Sequence, residues 1–503
     1  MKFTSKLVSN SFYLFLDWFA VGSIALLFWF FVNKNLNPEQ VGIIYTFINT
    51  AVLLYNIAIF GSNTSIVKLI PEYLAKKQFK KVSSLIRFYF KFIISILFVV
   101  SLTLVLFSNE LSSVLKLNNN VFMMMIIATV LLTFCGFFGF IIYGFQNFKK
   151  IFKTGLYGNL VKLLTTILFL YLGFSYFGPI VALMLGFLVT LLFRLDRKFF
   201  EKGNNSIDKK QIIFSYSLPA FISTFALVIL SSGHYVILTV MKDLGTTGKY
   251  GVAMTLASQI LLIPSILSAA LFPIISQLNA TKNFKHKQSN LINFVLKYAL
   301  LIGLPLTSFL ILFSKPLILL YSRSEFLPAT QLFPIIATAS FVFGLGTIYL
   351  TSLYAIGKTK IYRNILLLST SLFLLLSVLL TYFYSSIGLA TSYLISVSIL
   401  SFLCYYFIKK SIKTVFNHLL VVKIIIANLV FILLSYLVDL IPVAFYLKVV
   451  LVGTTGIIYL LILMPLRFYT RDDIEIITFF ESRSPKNLRK AFSFVKKIIS
   501  KNV

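Results

Sequence analysis

A chain of 503 residues with 59% hydrophobic content, 54 Phe and only 12% charged residues carries more apolar surface than a water-soluble domain hides. Its formal charge of +32, from 46 Lys and Arg against 14 Asp and Glu, would suit a nucleic-acid partner only if the basic residues shared one surface. They fall instead in short gaps between long apolar runs, which excludes a nucleic-acid binder and indicates a multi-pass membrane protein.

Fourteen apolar stretches follow one another: 10–31, 41–62, 88–108, 120–143, 154–174, 178–195, 212–240, 250–274, 294–313, 328–351, 361–384, 387–408, 419–439 and 443–466. Each is long enough to cross hydrocarbon as a helix, the arrangement that satisfies every backbone group without water. The expected fold class is all-α: a polytopic membrane protein of about 14 transmembrane helices. The first stretch is too long for a signal-peptide core and lacks a small-residue cleavage pattern, so it is expected to remain as the first helix.

The basic residues alternate between gaps. Those at the N-terminus, 63–91, 144–153, 194–211, 275–297, 352–363, 409–418 and the tail from Arg467 hold 37 of the 46 Lys and Arg. The intervening gaps hold Lys34, Lys116, Lys242, Lys249, Lys315 and Arg323, while Lys162, Lys423 and Lys448 lie within spans. Cytoplasmic loops retain basic residues, so a cell-membrane location with both termini cytoplasmic is expected. The basic loops should also attract anionic membrane lipids. In the tail, Ser484-Pro485 reads as a helix start, with Leu488, Phe492, Val495 and Ile499 on one face of an amphipathic surface helix.

The chain repeats itself. Leu36-Asn37-Pro38-Glu39-Gln40-Val41-Gly42 precedes the second helix as Gly245-Thr246-Thr247-Gly248-Lys249-Tyr250-Gly251 precedes the eighth, and Gly42 and Gly251 are 209 residues apart. Tyr143-Gly144-Phe145-Gln146-Asn147-Phe148-Lys149 and Tyr354-Ala355-Ile356-Gly357-Lys358-Thr359-Lys360 follow the fourth and tenth helices at an offset of 211. Nearly equal offsets at equivalent positions predict a six-helix lobe over 1–211 and a second over 212–410. Helices 13 and 14 (411–466) and a basic tail (467–503) follow. Six spans per lobe is an even number, so the lobes would be related by a pseudo-twofold along the membrane normal, which suits alternating access.

The segment Asn37-Pro38-Glu39-Gln40-Val41-Gly42, a second helix, then Val67-Lys68-Leu69-Ile70-Pro71-Glu72-Tyr73 resembles the polysaccharide transporters of the multidrug/oligosaccharidyl-lipid/polysaccharide (MOP) exporter superfamily, which include Wzx-type flippases. Leu261-Leu262-Ile263-Pro264 through Leu271-Phe272-Pro273 resembles that family's eighth helix, and the likeness covers residues 1–466. It implies two lobes arranged as a V that move lipid-linked oligosaccharides on a polyprenyl phosphate or diphosphate carrier, with glycan assembly proteins as possible partners. Two positions depart from the family pattern: His234 replaces a common acid, and Lys68 a common Arg.

One acidic residue lies well inside a span. Asp17 shares a face with Asn10 and Tyr13, and it is either a proton or Na⁺ coupling site, a ligand to a sugar hydroxyl, or a buried carboxylate bonded to a neighbouring helix. Asn49, Asn56 and Asn63 repeat every seven residues along the second helix, as a cavity lining or as interhelical hydrogen bonds. Lys162 would offset the charge of a lipid diphosphate, or snorkel to the interface. His234, with Gln259 on the next helix, would meet the same anion or be satisfied by neighbours. Pro219, Pro264, Pro305 and Pro334 are expected to kink their helices.

No catalytic or metal-ligating residues are expected, since Cys135 and Cys404 lie in spans without CxxC or Cys/His spacing. No cofactor is implied beyond coupling to a proton or Na⁺ gradient. The expected function is a flippase carrying lipid-linked glycan to the outer leaflet. A multidrug antiporter of the same superfamily would favour a more acidic interior, and a membrane-embedded glycosyltransferase would need clustered acids that the outer gaps lack.

Overall fold

In the computed structural model the described residues are 2–196, 199, 207–279, 284–412, 418–466, 468–470, 473, 474, 478, 481, 489 and 493. All the regular structure among them is helical, in the order α1 (Lys2–Asn35), α2 (Pro38–Ile59), α3 (Ser62–Ala75), α4 (Phe79–Leu106), α5 (Ser108–Val114), α6 (Asn119–Gly144), α7 (Phe148–Tyr171), α8 (Phe177–Arg194), α9 (Lys209–Ile212), α10 (Leu218–Met241), α11 (Leu244–Ala257), α12 (Leu262–Leu278), α13 (Phe284–Leu312), α14 (Ser314–Tyr321), α15 (Ala329–Ala355), α16 (Thr359–Ile412), α17 (His418–Leu440) and α18 (Phe445–Ile462). The expected tail helix from Ser484 lies outside the described residues.

Every one of the fourteen apolar stretches coincides with helix, and among the described residues eleven helical segments are long and apolar enough to cross a membrane, Lys209–Met241 and Leu244–Leu278 each counting as one. The difference has three sources. α16 is counted once although its backbone leaves helical geometry at Ser385 (φ 52°), where the sequence places the gap between 384 and 387. α1 spans 34 residues, Lys2–Asn35, but only Phe19–Asn35 of it enters the count among the described residues. In α7 the apolar stretch from 154 onward carries Asn159 and Lys162, which lower its mean hydropathy. The stretch at 250–274 is also divided: α11 passes through a 3-10 turn, Ser258–Leu261, into α12.

Local chemistry sets the helix starts. Asn37 forms a capping box with Gln40, its Oδ1 accepting from Gln40 N at 2.9 Å while Gln40 Oε1 accepts from Asn37 N at 3.2 Å, and Pro38 opens α2 where its missing N–H costs nothing. Asn118, Asn147 and Asp243 cap α6, α7 and α11. Pro219 and Pro264 follow irregular turns, the π-helical Ile213–Ser217 and the 3-10 Ser258–Leu261, within the continuous helical segments Lys209–Met241 and Leu244–Leu278, whereas Pro305 and Pro334 are interior to α13 and α15.

The helices pack as two compact units, the first of Met1–Ser258, Ile318–Ala339 and Thr359–Leu400, the second of Gln259–Leu317, Ser340–Lys358 and Ser401–Val503. In the first unit the two segments paired by the repeat meet each other. A side chain on Gly42 would collide with the Leu244 carbonyl, one on Gly248 with the Pro38 carbonyl, and one on Gly251 with the Tyr45 ring. Backbone contact of this kind is open only to glycine, and in a bilayer it supplies the packing that the hydrophobic effect does not. Around it, Thr46 and Thr247 both hydrogen-bond Thr239 at 2.7 and 2.9 Å, and Trp29, Tyr45 and Tyr235 stack with centroids 3.8 and 5.1 Å apart. Further along, Gly61 (φ 67°) lies against the Ser217 carbonyl at the end of a π-helical turn, Ile213–Ser217, and Ser65, Ser217 and Tyr89 share a chain of hydroxyl contacts.

Three of the six lysine and arginine residues of the sparsely basic gaps are spent on helix C-termini. Lys34 Nζ donates to the Leu319 and Ser322 carbonyls at 2.8 and 3.1 Å, at the end of α14. Lys116 donates to the Lys242 carbonyl at the end of α10, and Lys242 to the Tyr382 carbonyl at 3.2 Å. These carbonyls lack intrahelical donors, and the helix dipole favours a cation there.

In the second unit, α17 and α18 pack with α13. Asn428 donates to Ser308 at 3.0 Å, Tyr459 to the Leu301 carbonyl at 3.0 Å, and Ser435 pairs with Thr455 at 3.2 Å. A buried ion pair fixes the start of the tail. Lys297 Nζ of α13 stands 2.5 Å from Asp473 Oδ2, Tyr298 donates to the other carboxylate oxygen, and Thr470 N donates at 2.6 Å. Burial pushes the Asp473 carboxyl up, but these donors and the Lys297 charge outweigh it and hold the group below the usual carboxylate value.

Two outcomes follow from this packing. Gly248→Leu should lower thermal stability of the purified protein by about 1–3 kcal/mol, as overpacking does, whereas Gly453→Leu, at a position with open space around it, should not. Asp473→Ala should leave Lys297 buried and unpaired at a cost of about 3 kcal/mol. Because the folded carboxyl titrates low, its contribution is complete above the ordinary carboxylate range and is lost as pH falls through the lowered value. Proteolytic clipping of the tail should therefore rise on acidification in the wild type and be high at every pH in Asp473→Ala.

Candidate functional site

Where α1 packs on α7, glycine again sets the spacing. A Cβ on Gly155 would stand 3.0 Å from Asp17 Oδ1, so the carboxylate rests directly on the α7 backbone. Tyr13, one turn earlier, is half-buried with its ring 6.2 Å from Phe152. Asn10 belongs to α1, but its side chain lies outside the described residues.

Lys162, two turns further along α7, also points into this contact. Its ammonium donates to Asn159 Oδ1 at 2.6 Å and sits 5.2 Å from the ring centre of Phe28, a residue only 1% exposed. No carboxylate lies within 4 Å of it among the described residues. Its ammonium thus ends against a buried ring and an amide.

The structure adds a residue that the charge count assigned to a loop. Arg194, the last residue of α8, turns inward: Nη1 donates to the Cys135 carbonyl at 2.9 Å and Nε to Thr154 Oγ1 at 3.2 Å. A Cβ on Gly139 would stand 2.6 Å from Nη1, so the guanidinium occupies room that only glycine leaves. Asp17, Tyr55 and Cys135 all lie within its Coulombic reach. The signal was present in sequence, since Gly186, Thr190 and Arg194 fall at i, i+4 and i+8, and Gly186 and Thr190 are the face on which Gly158 of α7 packs.

The remaining candidates are placed elsewhere. Asn49 and Asn56 are half-buried, and each donates to a carbonyl of its own helix four residues back, Tyr45 and Val52, at 2.9 Å. His234 is fully enclosed: Nε2 contacts the Leu230 carbonyl at 2.6 Å, Nδ1 the Tyr250 hydroxyl at 3.1 Å, and the Phe373 and Tyr393 rings lie 4.7 Å away. Gln259 lies in the 3-10 turn between α11 and α12, at the first residue of the second unit. The first bundle therefore brings Asp17, Lys162 and Arg194 to the faces of α7, whereas His234 stands in its own aromatic box.

With both ring nitrogens of His234 used, His234→Leu should leave the Tyr250 hydroxyl unpaired and cost about 1–3 kcal/mol of stability. Transport per folded molecule should be unchanged; loss of transport in a stably folded variant would assign the imidazole to the substrate path.

Comparison with known proteins agrees with this architecture. Residues 7–279 match the family model described as polysaccharide biosynthesis protein. An uncharacterized membrane protein of Methanocaldococcus jannaschii is 24% identical over 413 residues, covering 78% of this chain and 81% of its own. Among solved structures, lipid II flippase MurJ in an inward closed conformation superposes with a TM-score of 0.69 at 18% identity, covering 90% of this chain and 98% of that one. An inward-facing multidrug resistance MATE family transporter of the MOP superfamily superposes with a TM-score of 0.67 at 14% identity, covering 78% and 94%. The fold is the one these two proteins share.

Proposed function

The chain belongs to the polysaccharide biosynthesis protein family, a transporter family of the MOP superfamily rather than one of catalytic enzymes, and from that premise we propose that it carries a polyprenyl-linked oligosaccharide or polysaccharide repeat unit across the cell membrane. Transfer runs from the cytoplasmic to the outer leaflet by alternating access of two lobes, residues 1–211 and 212–410, with both termini cytoplasmic. The observation that carries this reading is Lys162. An ammonium held in the interior of a helix bundle, with an amide and an aromatic face as its neighbours and no carboxylate within 4 Å among the described residues, is costly unless an anion is brought to it.

The phosphate or diphosphate of a lipid carrier is such an anion. Crossing hydrocarbon, it must exchange its hydration for fixed positive charge, and Lys162 supplies a point charge with three donors. Arg194 tilts the same bundle further toward anions: among the described residues inside the apolar spans of α1, α7 and α8, two cations, Lys162 and Arg194, stand against the carboxylate of Asp17. That balance disfavours the multidrug antiporter reading, because a cationic drug entering this bundle would meet net positive charge. The fold-related lipid II flippase supports a lipid-linked substrate.

Complementation of a deletion strain tests the reading. Without the protein, lipid-linked oligosaccharide should accumulate on the cytoplasmic leaflet. Wild-type protein should clear it, and Lys162→Gln, present at equal abundance in the membrane, should clear it about tenfold more slowly, the loss expected for one charge-assisted contact. Unchanged lipid levels with altered drug sensitivity would instead support the antiporter.

A further inference from the structure

Asp17 is an intramembrane carboxylate, and the charged groups around it can be followed helix by helix. On α1 its titratable neighbour is Tyr13. α7, the helix that α1 packs against, presents Lys162, seven residues beyond Gly155 and so roughly 10 Å further along the axis. Beside Arg194, rather than beside Asp17, stand Tyr55 of α2, whose hydroxyl would be 2.7 Å from a Cβ on Gly136, and Cys135 of α6. The strongest charge is on α8. Arg194 holds Thr154 Oγ1 at 3.2 Å while Asp17 Oδ1 rests against the very next residue, Gly155. Carboxylate and guanidinium thus flank one peptide step of α7, with no direct ion pair within 4 Å between them.

Among the described residues the acceptors of Arg194 are neutral: the Cys135 carbonyl and sulfur and the Thr154 hydroxyl. A guanidinium set in a glycine-made recess at Gly139, and bonded only to neutral groups there, is satisfied as a hydrogen-bond donor but not as a charge. The Asp17 carboxylate is in the complementary position. We propose that Arg194 is a positioning residue that serves as the built-in counter-cation of Asp17, occupying electrostatically the place that a small cation, Na⁺ or a proton, would otherwise take beside that carboxylate. Removing the guanidinium converts the Asp17 environment into a site that recruits a cation from solution. With the guanidinium in place, the carboxylate needs none in this conformation.

This inference rests on the placement of α1, α6, α7 and α8 and not on the substrate proposed above, and its test uses no glycan. Thermal unfolding of the purified full-length protein is measured in Na⁺ against choline at constant ionic strength and across pH. The wild type and Arg194→Lys should be indifferent to Na⁺. Arg194→Gln should gain a midpoint rise of about 3 °C in Na⁺, or an equivalent rise on acidification absent from the wild type, since either cation then binds the folded state. The charge-neutral pair Asp17→Asn with Arg194→Gln should lose that response. Should Arg194→Gln not accumulate in the membrane, the neutral pair should restore accumulation. The proposal is overturned if Arg194→Gln responds to both cations as the wild type does, if its gain survives in the double variant, or if the double variant fails to recover a non-accumulating single one.

Discussion

Two helix backbones touch where α2 meets α11, and the rest of the first unit is arranged around that contact. Hydrocarbon gives no hydrophobic reward for bringing apolar helices together, so close packing must supply the attraction. Gly42, Gly248 and Gly251 allow it by leaving out the Cβ atoms that would strike Leu244, Pro38 and Tyr45. Once the backbones are that near, the threonines at 46, 239 and 247 fall within hydrogen-bonding range, and Trp29, Tyr45 and Tyr235 can stack in sequence. The same device recurs between α7 and α8 at Gly158 and Gly186, and it brings Arg194 and Asp17 onto neighbouring residues of one helix.

Charge inside this protein is treated according to what it can reach. Lys34, Lys116 and Lys242 end on helix carbonyls, where an ammonium meets partial negative charge without a carboxylate. Lys297 is buried with Asp473 and is satisfied by a full ion pair. Lys162 differs: among the described residues it meets an amide and an aromatic ring in the first bundle and no carboxylate within 4 Å. A transporter that binds an anion must keep such cations incompletely compensated, since a fully paired cation has nothing left to offer a substrate.

Much of this architecture was legible in the chain. Apolar runs of membrane-crossing length located every major helix, because in a bilayer the backbone has no alternative to internal hydrogen bonding. The 209-residue offset picked out the two glycine segments that meet, without indicating that they meet each other. The break at Ser385 fell where the hydropathy dipped, whereas the 3-10 turn at Ser258–Leu261 left no mark on an unbroken apolar stretch. Site residues were harder. Asp17 and Lys162 stood out as charges inside spans, but His234 looked equally conspicuous and is enclosed by Tyr250, Phe373 and Tyr393. Arg194 does not stand out, because a basic residue at a helix end reads as an orientation signal.

By itself, then, the sequence determined the class of protein, the positions of its helices and the family to which it belongs, since these depend on length, apolarity and short motifs, all of them local. Only the tertiary structure decided which way each charge points. The direction of Arg194 depends on Gly139 of one helix and Thr154 of another, and the burial of His234 on aromatic rings more than 130 residues away in the chain. Such facts arise from distant segments sharing one small volume, which periodicity along a single helix does not encode.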